Sequence, residues 1–207
     1  MKLLVVGGPA SHGVSEQERF DVRLTHYLSN RMALPAVLHL GVPGTLADAV
    51  FALRQPFVRL DGYDLIVLQT SDFAPNAFDS ATNPSLRRRV AAFFRELTSF
   101  RKQQTQLRHA LTLLEPHRSR VVVLTPPPGG EVLTTLLRRW QSARIELLCR
   151  LWAFRVVNQC QPDLRYEFLF DEISHGLNRL GHHYLSLEII GALRLPSPKD
   201  DEEPAWL

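Results

Sequence analysis

Five short apolar runs recur along the chain: LLVVGG (3–8), AVLHLG (36–41), DLIVLQ (64–69), RVVVLTP (120–126) and YEFLFD (166–171). A strand with one wet face alternates apolar and polar residues, whereas a continuous apolar run needs cover on both faces. The stretches between these runs have the helical period instead. SEQERFDVRLTHYLSNRM spaces Phe20, Leu24, Tyr27, Leu28 and Met32 along one face, and Ser15 with Glu18 three residues on forms a capping box. TLADAVFALRQPFV predicts a helix opening at Thr45 and interrupted near Pro56. Asn83 as cap and Pro84 at the first position predict a long helix to about Glu115. Further helices are expected over about 130–159 and 180–193. Repeated strand–helix alternation predicts an α/β chain, a three-layer α/β/α sandwich around a central parallel five-stranded sheet.

With 207 residues, 45% of them hydrophobic, one domain can bury its core without cross-links. That domain is expected over 1–195. The segment 196–207 carries Pro196, Pro198 and the acids Asp200 to Glu203, and its composition predicts disorder. Cys149 and Cys160 both fall in the long helix expected over 130–159, where eleven residues of rise, about 16 Å, put them beyond disulfide reach. The opening MKLLVVGGPA has too short an apolar run for a signal peptide, and no run approaches the ~18 residues of a membrane span, so a soluble cytoplasmic protein is expected.

The formal charge is +3, but Asp200 to Glu203 concentrate four carboxylates in the tail and leave the body strongly positive. Only Lys2, Lys102 and Lys199 are lysines, so arginine carries most of that charge. LRRRV (86–90) and RKQQTQLRH (101–109) lack interleaved aromatics or a nucleic-acid reading motif, which leaves a solvated face or an interface with an acidic partner. The glycines of the first loop match neither G-x-G-x-x-G nor G-K-[ST], so no nucleotide fingerprint is present. Asp171, His175, His182 and His183 do not converge as a metal set, because adjacent histidines on a helix point apart. No cofactor or metal is expected. LLCRLWAFRVV (147–157) is more apolar than a surface helix needs; it reads as a core helix or as a dimer or partner groove.

In a parallel α/β sheet, ligands bind where the strands end at their carboxyl side. The loops expected there are GGPASHG, GVPGT, QTSDFAPN, TPPPGG and DEISHGLN. In order and spacing they resemble the blocks of the SGNH/GDSL hydrolases, a class of serine esterases and lipases. GGPASHG (7–13) is similar to G-D-S-L-T-x-G, HLGVPGT (39–45) to N-x-G-x-x-G-x-T, DLIVLQTSDF (64–73) to a strand ending in L-x-x-G-x-N-D, and DEISHGLNRLGH (171–182) to D-x-x-H-x-N followed by G-H. The resemblance covers nearly the whole chain and implies the family's flavodoxin-like topology.

It also implies a site. The family's acyl-serine route needs a hydroxyl nucleophile, a histidine base, an orienting aspartate and oxyanion donors. Asp171 and His175 match the acid–base pair with one extra residue between them, and Gly44 and Ser71 fall in the columns of two oxyanion donors. The serine column holds Pro9, which has neither hydroxyl nor amide N–H. Ser11, two residues on, is the replacement nucleophile on offer, though extended backbone separates the two positions by about 7 Å; its other reading is a cap or a bond to the loop backbone. Gly8, Pro9, His12, Asp72 and Asn76 would line the pocket. Two functions follow: an ester (acyl) hydrolase with Ser11 as nucleophile, acting on a small-molecule ester or acyl ligand, or a catalytically inactive relative that binds a ligand or a partner protein. The substitution at Pro9 favours the second; Asp171, His175 and Gly44 favour the first.

Overall fold

The computed structural model describes residues 2–6, 24, 36–40, 46–55, 58–70, 86–128, 132–160, 169 and 178–194. Five parallel strands form one sheet: β1 (Lys2–Val6), β2 (Ala36–Leu40), β3 (Leu65–Gln69), β4 (Val121–Leu124) and β5 (Arg155–Val157), in the order β2-β1-β3-β4-β5. Every neighbouring pair is parallel, with Leu3 opposite Leu65, Ile66 opposite Val121 and Val122 opposite Arg155. This is the flavodoxin-like order expected from the sequence.

The apolar runs are continuous because alternate residues enter two separate cores. Leu4, Val6, Ile66, Leu68, Val121 and Val123 face one cluster, which also holds residues of α1 (Leu46–Leu53), α2 (Leu86–Leu114) and α3 (Val132–Leu151). Leu3, Val5, Leu65, Val67, Val122 and Leu124 face the other, closed by Leu24 and by Leu185, Ile189 and Ala192 of α4 (Arg179–Arg194). Three layers result. The basic residues Arg101, Lys102 and Arg108 of α2 are exposed. α2 is 29 residues long, about 43 Å of helix, and among its described side chains Phe100, Leu107, Ala110, Leu111 and Leu114 are buried. No described helix is long and apolar enough to cross a membrane.

One expected element is corrected. The helix expected over 130–159 stops at Leu151, and 155–157 forms the fifth strand. The stop is a Schellman turn: the Phe154 N–H donates to the Cys149 carbonyl at 2.8 Å, and the Ala153 N–H donates to the Arg150 carbonyl at 3.0 Å. Ala153 sits in the left-handed region at φ 55°, where glycine usually stands, and Phe154 is buried in the larger core. Cys149 therefore belongs to α3 and Cys160 lies beyond β5; both are buried free thiols. The run 166–171, expected as the fifth strand, lies outside the described residues except for Leu169. The helix expected over 15–32 is described only at Leu24, which is helical and buried.

The amino-terminal rim is tied by charged side chains. Nη1 of Arg120 donates to the carbonyls of Asp61 and Tyr63 at 3.2 and 2.8 Å, and its Nη2 meets His117 Nδ1 at 2.9 Å. The Lys2 N–H donates to Asp64 Oδ2 at 2.6 Å, and Arg155 donates to the Ser119 carbonyl. These bonds join the approaches to β1, β3, β4 and β5.

The Schellman turn makes a test of the corrected strand. Ala153→Gly is expected to raise stability by about 0.5–1 kcal/mol in urea titration, because it removes left-handed strain at the helix stop. Phe154→Ala is expected to lower it by about 3–5 kcal/mol.

Candidate functional site

All five strands end at one rim, at Val6, Leu40, Gln69, Leu124 and Val157. Where β3, β4 and β5 end, a buried polar network replaces the apolar core. Thr70 closes β3 with two bonds to Leu124: its N–H donates to the Leu124 carbonyl at 3.1 Å and its hydroxyl to the same oxygen at 2.8 Å. Thr125 does the same for β4, its N–H donating to the Val157 carbonyl at 3.1 Å. Its hydroxyl accepts the Gln159 N–H at 2.9 Å and donates to Asn158 Oδ1 at 3.4 Å, while the Gln159 side-chain amide donates to the Thr125 carbonyl at 2.6 Å.

The network then reaches α3. Asn158 Nδ2 donates to Glu146 at 3.0 Å, and the Ser142 hydroxyl and the Cys160 thiol both donate to the Pro126 carbonyl, at 3.4 and 3.2 Å. Thr70, Thr125, Ser142 and Gln159 are all buried. Their bonds brace the ends of β3 and β4 at Thr70 and Thr125.

Gln69 is different. It is 3% exposed, and its Oε1 is buried with no hydrogen-bond partner among the described residues. Strand alternation puts it on the side of Leu65 and Val67, towards α4. A buried carbonyl left without a donor costs about 1–3 kcal/mol, and no described residue supplies one to Gln69. On the α4 layer, Asn178 caps the helix: its Oδ1 accepts the Gly181 N–H at 2.9 Å and its carbonyl accepts the His182 N–H at 3.0 Å. Asn178, Arg179, Leu180 and His183 line a depression of about 520 Å³ beside this first turn.

The buried thiols are poor nucleophiles. Burial, with a smaller contribution from Glu146, pushes the Cys149 thiol from 9.0 up to about 12. Burial pushes Cys160 to about 11, against the opposing pull of the Ser142 hydrogen bond and the charges of Arg138 and Arg139. Both stay protonated near neutral pH, so neither supplies a thiolate for attack.

Every residue assigned a role from the sequence lies outside the described residues: Ser11, Asp171 and His175 of the catalytic set, Gly44 and Ser71 of the oxyanion set, and Gly8, Pro9, His12, Asp72 and Asn76 of the pocket. The described strands bring their nearest described neighbours in the chain, Val6, Leu40 and Thr70, to one rim. Sequence reasoning missed the network of Thr70, Thr125, Asn158 and Gln159. Its one signal was a threonine closing each of two apolar runs, in VLQT (67–70) and VVLT (122–125).

Nearly the whole chain aligns with solved hydrolases. It is similar to a lipase/acylhydrolase from Enterococcus faecalis, at TM-score 0.61 and 16% identity over 95% of this chain and 97% of that one. It is also similar to the acetyl xylan esterase AlAXEase, at TM-score 0.68 and 12% identity over 93% and 100% of the two chains. An acetylxylan esterase from Geobacillus stearothermophilus aligns at TM-score 0.65 and 12% identity over 94% of each. The fold is the SGNH hydrolase fold. At these identities the SGNH likeness is one of fold. No protein-family model matches the sequence, and no curated protein matches it.

Two outcomes check the rim and its thiols. Thr125→Val leaves the buried Gln159 N–H without its acceptor and is expected to cost about 1–3 kcal/mol in urea titration. Cys149 titrates at about 12 in the folded chain against 9.0 as its ordinary value. Its contribution is therefore complete below pH 9 and is lost as pH rises from there toward 12. The urea midpoint is expected to fall between pH 8 and 10, and to fall less in Cys149→Ala.

Proposed function

We propose that the chain is an ester (acyl) hydrolase working by an acyl-serine route at the carboxyl rim of the sheet. The observation that carries this reading is the topology. β1, β2 and β3 end side by side, and the loops that resemble the family's first three blocks start at or beside those ends. Likeness over nearly the full length to a lipase/acylhydrolase and to acetyl xylan esterases supports it.

In this reaction Ser11 Oγ attacks the ester carbonyl carbon while His175 takes its proton. Asp171 holds the imidazole in orientation. The Gly44 N–H and the Ser71 side chain donate to the oxyanion of the tetrahedral intermediate. That intermediate collapses to an acyl-serine as His175 returns the proton to the leaving alcohol. Water, deprotonated by the same histidine, then releases the acid and restores Ser11. Burial of both thiols supports a hydroxyl rather than a sulfur nucleophile. The braced end of β3 at Thr70, one residue before Ser71 in the chain, supports this reading.

A second reading rests on Pro9. A proline in the serine column removes a hydroxyl and an amide donor together, which favours a site that binds without turnover.

Labelling with a fluorophosphonate probe and hydrolysis of short-chain p-nitrophenyl esters separate the two. The enzyme reading expects labelling that disappears in Ser11→Ala, with hydrolysis falling at least about 10³-fold. Labelling that survives the substitution removes Ser11 from the mechanism. Absence of both labelling and hydrolysis in the folded parent chain overturns the enzyme reading in favour of the binding one.

A further inference from the structure

The outward face of α3 carries large apolar side chains that a solvated helix does not need. Leu136, Trp140, Leu147 and Leu151 are 54%, 41%, 52% and 71% exposed. With Ala143, also exposed, they recur at four- and three-residue steps. At 100° per residue the five positions fall within about 80° of arc and extend about 22 Å along the axis. Scattered exposed leucines need no explanation; a continuous stripe does.

The stripe has an electrostatic frame. Arg139 and Arg150 flank one edge and Arg144 the other, and all three are exposed. Arg150 is paired with Glu146, but Arg139 and Arg144 have no carboxylate partner among the described residues. The Trp140 ring is held in place, its centroid 5.1 Å from that of Phe100 and the Arg144 guanidinium 5.8 Å away. A fixed aromatic surface between unpaired arginines fits an acidic segment carrying its own apolar side chains.

Such a segment exists in this chain. Residues 196–207 read PSPKDDEEPAWL: four consecutive carboxylates, Asp200 to Glu203, followed by Trp206 and Leu207. Their reach is sufficient. The chain leaves α4 at Arg194; fully extended, Asp200 to Glu203 lie about 20–30 Å beyond it and Leu207 about 40 Å. The two helix layers on either side of the sheet are about 20 Å apart. Both α3 and α4 pack against β5, and β5 is an edge strand, so the path between the layers rounds a single edge. A second copy of α3 fits the stripe less well, because α3 carries four arginines against one glutamate and two such helices repel.

We propose that residues 196–207 fold back across β5 and dock on α3 of the same chain. Asp200 to Glu203 pair with Arg139 and Arg144, and Trp206 and Leu207 cover the Trp140–Leu151 stripe. Tethering makes the encounter intramolecular, at an effective concentration in the millimolar range, so individually weak pairs suffice.

The test is cross-linking of the full chain carrying Leu151→Cys and Ala205→Cys, with a short bis-maleimide at low micromolar protein. Cys149 and Cys160 are buried and stay silent. The expected result is an intramolecular link between positions 151 and 205, located by peptide mass spectrometry and absent when Lys102→Cys replaces Leu151→Cys. Reversing Asp200, Asp201, Glu202 and Glu203 to Lys is expected to cut its yield about fivefold or more, as is 1 M salt. Adding Arg139→Glu and Arg144→Glu to the reversed tail is expected to restore it. Circular dichroism of each variant establishes that it is folded. Absence of the link in a folded chain overturns the proposal, as does a yield indifferent to charge. Links formed only between chains, and rising with concentration, overturn it in favour of a second copy.

Discussion

The structure depends on strands buried on both faces. β3 and β4 have no exposed residue along their length, so their polar requirements are met by the backbone ladder alone until the strands end. Polar side chains are therefore driven to the two rims, where they take different forms. The amino rim is closed by charged, partly exposed groups, with Arg120 gathering the carbonyls of Asp61 and Tyr63. The carboxyl rim is closed by neutral, buried groups, Thr70, Thr125 and Gln159. Neutral amides and hydroxyls can be buried for the cost of a hydrogen bond each, whereas an ion would have to be paired in the same space. Among the described residues, the ends of β3 and β4 are thus braced by neutral groups, with Glu146 joined through Asn158 at the α3 side.

Much of the fold was legible because double burial leaves a plain trace. LLVV, DLIVLQ and RVVVL each gave a strand, within a residue or two of its observed ends. The fifth strand was not legible. RVV is three residues long, too short to show a period, and it follows α3 without a glycine or proline to mark the stop. Ala153 takes the left-handed turn that glycine would have announced, and the apolar run through it reads as one helix. The placing of the cysteines shifted with it, since the helix expected to hold both ends between them.

The site was legible in outline only. Strand order delivers β1, β2 and β3 to a common rim, and that much follows from the alternation of elements. The side chains proposed for chemistry lie on the loops, and a loop position is fixed by tertiary contacts that no local pattern encodes. The rim network shows the same limit. Thr70 and Thr125 each close an apolar run, but their bonds to Leu124 and Val157 come from neighbours in the sheet that are distant in sequence.

The length of α2 has its own consequence. A five-residue strand advances about 17 Å, and the helix beside it about 43 Å. The helix is therefore longer than the strand by about 26 Å. The helix finishes just before β4 begins at the amino rim, so the surplus lies toward its first turns, at the carboxyl rim. The height of that end comes from helical rise rather than from any strand.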